Sequence, residues 1–324
     1  MNRAGVIQDA IPQEDFLETN GPNKTGMVAQ HFFAFNTAIT LQAFAPEQAC
    51  LSAFGRVRKE ARRLERLFSR TLSHSDISRL NRAEDTPVEI SRDTADLLEC
   101  ALSYCADSDG RFDITMGSAV QLWDLHRAII PSQDALREAV AHVDWRGVRV
   151  REESGRYFAQ LADPQAAVDV GGIAKGWIAD KFTSVLLKEG LEDFLINLGG
   201  NVVAHGKKPG GIAWNIGIRD PRDENSIVGA VPLCDASAVT SGIYERCCEV
   251  NGKFYHHILS PETGMPVQTD VAGATVIADR SIDAEGYSTT LLALGTVRGL
   301  AFAREHPAIR KAIFVTSNGD VLES

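Results

Sequence analysis

Apolar and polar residues alternate over residues 31–44 through Phe33, Phe35, Thr37, Ile39, Leu41 and Ala43, a period of two that predicts a half-buried strand. Over 46–68 the period lengthens, and Val57, Ala61, Leu64 and Phe68 recur every three or four residues, as on the buried stripe of a helix. Arg56, Arg58, Lys59, Arg62, Arg63 and Arg66 fall largely off that stripe among Glu60 and Glu65, which describes a solvated face better than an anion-binding one. Helices are further predicted over 91–108, with Ser91 as N-cap and Gly110 beyond its end, and over 134–143. Residues 148–158 read as a hairpin. A short apolar run at 166–170 predicts a buried strand, after which Ile178, Phe182, Val185 and Leu186 recur at helical spacing up to Gly190. Strands follow at 194–198, 214–218, 227–233, 236–240, from Phe254 to a turn at Pro261, and at 271–278, and a last helix runs over 282–294. Residues 68–81 show no usable period and read as a polar loop with a short turn, and 1–27 read as a loose arm before a body at 28–324.

The 324 residues allow one large domain or two smaller ones. A formal net charge of −10 argues against nucleic acid or an anionic membrane as a general partner. The six cysteines form no C-x-x-C pair, which fits a reducing compartment. No apolar run is long enough to span a bilayer and no leader is visible at the N-terminus, so the expected location is cytoplasmic.

Three places carry candidate chemistry. Between the run at 166–170 and the following helix lies Asp169-Val170-Gly171-Gly172-Ile173-Ala174-Lys175-Gly176, where glycines let backbone approach a ligand and helix N-terminal N–H groups favour anionic oxygens. A tight strand-to-helix connection explains the same glycines, and neither a Gly-x-Gly-x-x-Gly fingerprint nor a phosphate loop is present. His256 and His257 alternate in a strand, so one can face a site while the other does not. Glu285 and Thr289 share a helix face with Ser288 nearby, a set of hard oxygen donors suited to Mg²⁺, although an acidic helix start explains Asp283 and Glu285 without metal. Phe112 and Trp123, which flank short polar residues, are expected in the core.

Taken in order, the motifs resemble the ApbE-type FAD:protein FMN transferase family over about residues 31–300. The segments are Ser78-Arg79-Leu80-Asn81, Gly110-Arg111-Phe112-Asp113-Ile114-Thr115, the run from Asp169 to Gly176, Asn197-Leu198-Gly199-Gly200, Thr240-Ser241-Gly242, His257-Ile258-Leu259-Ser260-Pro261-Glu262-Thr263-Gly264, and Glu285-Gly286-Tyr287-Ser288-Thr289. The resemblance implies an α+β fold in which mixed sheets and flanking helices form two lobes enclosing a flavin nucleotide site. It implies a Mg²⁺-dependent transfer of FMN from FAD to a Ser or Thr hydroxyl of a target protein, with AMP released. By the same resemblance His257 is the base, Ala174 (through its carbonyl), Glu285, Ser288 and Thr289 hold the metal, and Phe35, Arg111, Phe112, Asp113, Asp169, Lys175 and Ile258 line the FAD site.

The chain departs from the family pattern where Phe35-Asn36-Thr37 stands for Met-Gly-Thr, Thr71 for an aromatic, Ser260 for Asp and Glu285 for Asp. These departures leave two alternatives to transfer: an FAD-binding protein without turnover, or a pyrophosphatase giving FMN and AMP. A target site would resemble Ser-Gly-Ala-Thr, and Ala272-Gly273-Ala274-Thr275 raises the further possibility that Thr275 accepts flavin in cis.

Overall fold

The computed structural model describes residues 16–324. Its centre is a nine-stranded sheet in the order β1 (Leu17–Asn20), β2 (Val28–Ala34), β3 (Thr37–Ala43), β7 (Phe194–Leu198), β8 (Asn201–His205), β11 (Ala236–Gly242), β14 (Val271–Ala278), β15 (Lys311–Thr316), β16 (Val321–Glu323). Helices α1 (Glu47–Phe68), α6 (Ala174–Lys188) and α7 (Ser281–Glu305) cover one face, and the hairpin β9 (Trp214–Asp220)–β10 (Asp223–Leu233) covers the other. The period of two decides which residue goes where: Val203, Val239 and Val276 point into the helices, while their neighbours Ala204, Ala238 and Ile277 meet Trp214, Val231 and Leu233 of the hairpin.

A second group comprises α2 (Asp76–Leu80), α3 (Arg92–Asp107), the three-stranded sheet β4 (Val88–Ile90), β6 (Arg156–Leu161), β5 (Val148–Glu153), and the short helices α4 (Gly117–Val120) and α5 (Gln133–Val140). Its apolar residues Leu97, Leu98, Val148 and Leu161 are continuous with the helix-covered face of the large sheet, so one core serves both groups. The small hairpin β12 (Cys247–Val250)–β13 (Lys253–His256) stands apart from both sheets.

The α+β class is the one expected, but the sheets are not mixed. Every ladder among the described residues is antiparallel, and the only parallel pairing is a bridge between Met116 and Ala167. Strand–helix–strand order suggests parallel crossovers; here everything from α1 to α6 is inserted between β3 and β7, and the chain comes back to β3 running the opposite way.

Other expectations are corrected in detail. The strand expected over 31–44 is a hairpin whose two turn residues, Phe35 and Asn36, both have positive φ (53° and 57°), the conformation that matches strand twist. The side-chain parity flips across it, leaving Phe32 buried and Phe33 exposed. The supposed loop 68–81 contains α2, capped by the Ser75 hydroxyl accepting from the Ser78 N–H at 3.0 Å. The N-terminal arm lies outside the described residues up to residue 15, and beyond it Leu17–Asn20 is an exposed edge strand paired with β2. The helix expected to stop before Gly295 breaks there, at φ 77°, and resumes to Glu305 with Asp270 accepting from the Thr296 N–H at 3.0 Å. No helix among the described residues is long and apolar enough to cross a membrane.

The first half of α7 is fixed by α6. Asp180 of α6 accepts from the Ser281 and Ile282 N–H groups at 2.8 and 3.0 Å, supplying a cap that α7's own preceding residue, Arg280, does not. One turn earlier on α6, a Cβ at Gly176 would stand 2.7 Å from both the Glu285 Cβ and the Ser281 carbonyl oxygen. Only glycine permits that approach. Gly176→Ala should therefore cost about 1–3 kcal/mol of stability by overpacking. Gly55→Ala, in mid-α1 with Arg58 Nη2 at 3.9 Å as the nearest atom, should instead gain about 0.5–1 kcal/mol. Urea unfolding midpoints of the two variants should move in opposite directions.

Candidate active site

The close α6–α7 crossing sets the site. Lys175, in the first turn of α6, places its ammonium on Glu285 Oε1, and the buried Asn201 at the start of β8 donates its Nδ2 to Glu285 Oε2 at 2.6 Å. Further along α7, Ser288 and Thr289 both meet Ser241 of β11, with Oγ separations of 2.8 and 3.2 Å. Positions 281, 285, 288 and 289 fall on one face at helical spacing, so a single helix delivers the carboxylate and the hydroxyls to the same place. Asp283, by contrast, points to α3, where it accepts from the Tyr104 hydroxyl.

His257 follows β13. Its backbone N–H and its ring Nδ1 both meet the Arg246 carbonyl, at 3.1 and 3.3 Å, so Nδ1 carries the proton and Nε2 keeps a lone pair. Burial, with the positive charges of Arg246 and Lys175 adding to it, pushes the imidazole down to about 3. The ring is thus neutral at ordinary pH. His256 faces the other way, buried, with its Nδ1 accepting from the Ile258 N–H at 3.3 Å. Glu245 is exposed at its surface yet desolvated by the protein around it, which raises its pKa; Lys175 opposes that shift and Glu285 adds to it.

The glycine turn before α6 is built differently from the expectation. Residues 166–170 are buried except for half-buried Asp169 and lie outside the named strands, their backbone pairing limited to the Ala167–Met116 bridge and the Asp169 N–H on the Ile114 carbonyl at 2.8 Å. The Asn81 side chain does what a neighbouring strand would, accepting from the Val168 N–H at 2.7 Å and donating to its carbonyl at 2.8 Å. The N–H groups expected to be free are largely used: Gly171 donates to Asp169 Oδ1 at 2.8 Å, and Ile173 and Ala174 donate to the Val170 carbonyl at 3.0 and 2.8 Å. Asp169 also pairs with Arg70 at 3.2 Å.

The remaining sequence candidates are placed as follows. Phe112 is core, as expected, and its ring lies so close to the turn that a Cβ at Gly172 would stand 3.1 Å from it. Asp113 is turned inward: one oxygen accepts from the Thr115 N–H and hydroxyl at 2.7 and 2.6 Å, the other from the Trp145 N–H at 3.2 Å, and burial raises its pKa. It orders the loop behind Phe112. Half-buried Arg111 continues the turn that ends α3, its N–H on the Ser108 carbonyl at 3.2 Å. Ile258 is packed in the main core, and Phe35 sits at the β2–β3 turn with its N–H on Glu65 of α1 at 2.9 Å. Ala174 opens α6 beside Lys175. Thr275 is buried in β14 and bonded to the Thr240 hydroxyl at 2.8 Å, which withdraws it as a flavin acceptor in cis.

Sequence reasoning missed Asn201 and Glu245, and gave Asn81, though it stands in a quoted motif, no role. The one signal for Asn201 was a lone amide opening the apolar strand Val202-Val203-Ala204. A cavity of about 310 Å³ lined by Thr115, His142, Asp144 and Asp163 lies under α5 and shares no lining residue with the Glu285 cluster. No group of three or more His, Cys, Asp or Glu among the described residues is arranged to hold a metal. The donors at Glu285 are one carboxylate and several hydroxyls, all hard oxygens, a set that suits Mg²⁺ filling its shell with water and phosphate and would not suit a soft metal.

Residues 35–314 match the model of the ApbE family. The chain belongs to the ApbE family. It is 38% identical over 266 residues to the FAD:protein FMN transferase of Treponema pallidum, covering 78% of this chain and 73% of the relative. To one of Klebsiella pneumoniae it is 34% identical over 290 residues, 88% of each. The ApbE protein of Thermotoga maritima superposes with a TM-score of 0.83 at 25% identity, over 96% of this chain and 97% of the other. The departures of this ApbE chain have visible supports. The positive-φ pair Phe35-Asn36 is clamped by α1, through Glu65 and through Arg62 donating to the Phe33 carbonyl at 3.1 Å. Ser260 still makes its turn, its hydroxyl accepting from the Glu262 N–H at 3.3 Å and its carbonyl from the Gly264 N–H at 2.8 Å. In this ApbE site the His257 imidazole should titrate far below an ordinary histidine, near 3, as followed by NMR. Because cations and burial oppose imidazolium, Lys175→Met or added inorganic pyrophosphate should each move that titration upward.

Proposed function

We propose that this chain transfers FMN from FAD to a Ser or Thr hydroxyl of an acceptor protein, with Mg²⁺ and with release of AMP. The observation that carries the reading is the Lys175–Glu285 contact flanked by the hydroxyls of Ser241, Ser288 and Thr289, with the neutral His257 within reach of Lys175's charge. The chain's similarity to proteins named FAD:protein FMN transferase supports it.

In this reading the acceptor oxygen attacks the phosphorus of the FMN half. The new P–O bond forms as the bond to the AMP phosphate breaks, and AMP leaves with the electron pair. The hydroxyl proton passes to Nε2 of His257, whose tautomer is held by the Arg246 carbonyl. Lys175 offers positive charge to the phosphoryl oxygens. Mg²⁺, when bound by Glu285, Ser288, Thr289 and the Ala174 carbonyl, would neutralise charge on the pyrophosphate. The Asp169–Gly172 turn, backed by Phe112, would line the FAD site, and Asp113 acts by ordering the segment behind Phe112.

Chromatography of FAD incubated with the protein and a Ser-Gly-Ala-Thr peptide, with Mg²⁺ or with EDTA, tests this directly. Metal-dependent AMP release with the peptide gaining FMN is expected. AMP with free FMN would make the chain a pyrophosphatase, and intact bound FAD a binding protein. His257→Ala should leave FAD binding nearly intact while transfer falls by about 10²- to 10⁴-fold, and unchanged transfer removes His257 from the mechanism. Glu285→Gln should raise the Mg²⁺ concentration needed for half-maximal transfer, and an unaltered requirement sinks the metal ligands named here.

A further inference from the structure

Glu285 is gripped twice, and the two grips differ in kind. Lys175 holds Oε1 with a charged, partly exposed side chain, whereas Asn201 holds Oε2 from a position only 1% exposed. A divalent cation at Glu285 repels the ammonium but not the amide, so Asn201 is the grip that survives loading. Asn201 is itself fixed. A carboxylate only accepts, so Nδ2 must face Glu285 and Oδ1 must face the other way, where the Ser281 hydroxyl donates to it at 2.7 Å. With its single proton spent there, Ser281 can only accept, and the one proton of Ser237 is shared between Ser281 Oγ at 3.1 Å and the Val202 carbonyl at 2.9 Å. Ser237, Ser281 and Asn201 are all buried, and they come from three elements, β11, α7 and β8. From Glu285 through Asn201 to Ser281 the bonds have one polarity, set at the Glu285 end.

Resting on the Mg²⁺-dependent reading above, we infer that Asn201 is a positioning residue that aims the Glu285 carboxylate at the metal, with Ser281 locking the amide's orientation. A neutral partner suits this role because it takes no charge from the carboxylate while removing its rotational freedom.

The test is isothermal titration of Mg²⁺ into wild type, Asn201→Ala, Ser281→Ala and the double variant, with FAD affinity measured in EDTA by flavin fluorescence. Asn201→Ala should weaken Mg²⁺ binding by roughly 10- to 100-fold, and Ser281→Ala by less, on the scale seen for residues that orient metal ligands. FAD affinity without metal should stay put. The double variant should bind Mg²⁺ no worse than Asn201→Ala alone, since both changes act through one amide. Unchanged Mg²⁺ affinity in Asn201→Ala overturns the inference, as do losses that multiply in the double variant, or an equal fall in FAD affinity, which a merely structural asparagine would give. Should Asn201→Ala not fold, Ser281→Ala decides alone, and full Mg²⁺ affinity there overturns the inference. Wild type that binds no Mg²⁺ removes the metal reading itself, and the inference with it.

Discussion

The approach of α6 to α7 at Gly176 is the contact on which the site depends. With no side chain there, the backbone of one helix lies against the Cβ of Glu285 and the carbonyl of Ser281 on the other. The crossing brings the Lys175 ammonium to the Glu285 carboxylate and lets Asp180, one turn on, take the orphan N–H groups that begin α7. A buried ion pair is tolerable only when its remaining lone pairs are also met. Asn201 meets one of them, and the strand that carries it is held in the centre of the large sheet.

The same logic explains why polar side chains cluster on one side of β8 and β11 in an otherwise apolar layer. Ser237, Ser241 and Asn201 stand where α7 crosses the sheet, and each finds a partner on α7. Interior polar groups cost little when bonded and much when not, so these residues and α7's serine, threonine and glutamate have to be read as one set. Tyr104 and Asp283 form a separate contact on the opposite side of the helix, made possible by Gly286, where a Cβ would stand 2.5 Å from the Tyr104 ring.

Periodicity made most of the frame legible. The long helices and the strands at 194–198 and 214–218 announce themselves because burial on one face leaves a repeat of 3.6 or 2 in the sequence, and the strand at 271–278, buried on both faces, does so as a largely apolar run. Direction did not announce itself: a strand's apolar pattern is the same whether its neighbour runs parallel or antiparallel, so nothing in the pattern could correct the mixed sheets that the resemblance implied. The turn at Phe35-Asn36 was invisible because no glycine marks it, and the segment 166–170 looked like a strand because it is buried like one, though its pairing is a bridge to Met116, one bond to Ile114 and the Asn81 side chain. At the site, collinear motifs named Lys175, Glu285, Ser288, Thr289 and His257, but no spacing rule links Asn201 to Glu285 across 84 positions. Asp113, which the resemblance put at the FAD site, turns inward through its bonds to Thr115 and Trp145, contacts that no spacing in the sequence announces.

Both anionic groups nearest the proposed substrate are already satisfied within the protein. Asp169 fills the N–H of its own turn and pairs with Arg70, and Glu285 holds Lys175. A site that left these groups bare would pay a desolvation cost in the empty protein. Instead the chain carries internal stand-ins, a carboxylate where an anion would bind the turn and an ammonium where a cation would meet Glu285. Binding is then an exchange of partners, and its net gain is smaller than the new contacts alone would suggest. It also makes selectivity a matter of which ligand compensates both displaced partners at once. In the proposed reading a nucleotide pyrophosphate would do so, its oxygens receiving Lys175 and Arg70 while a cation takes the place of Lys175 at Glu285.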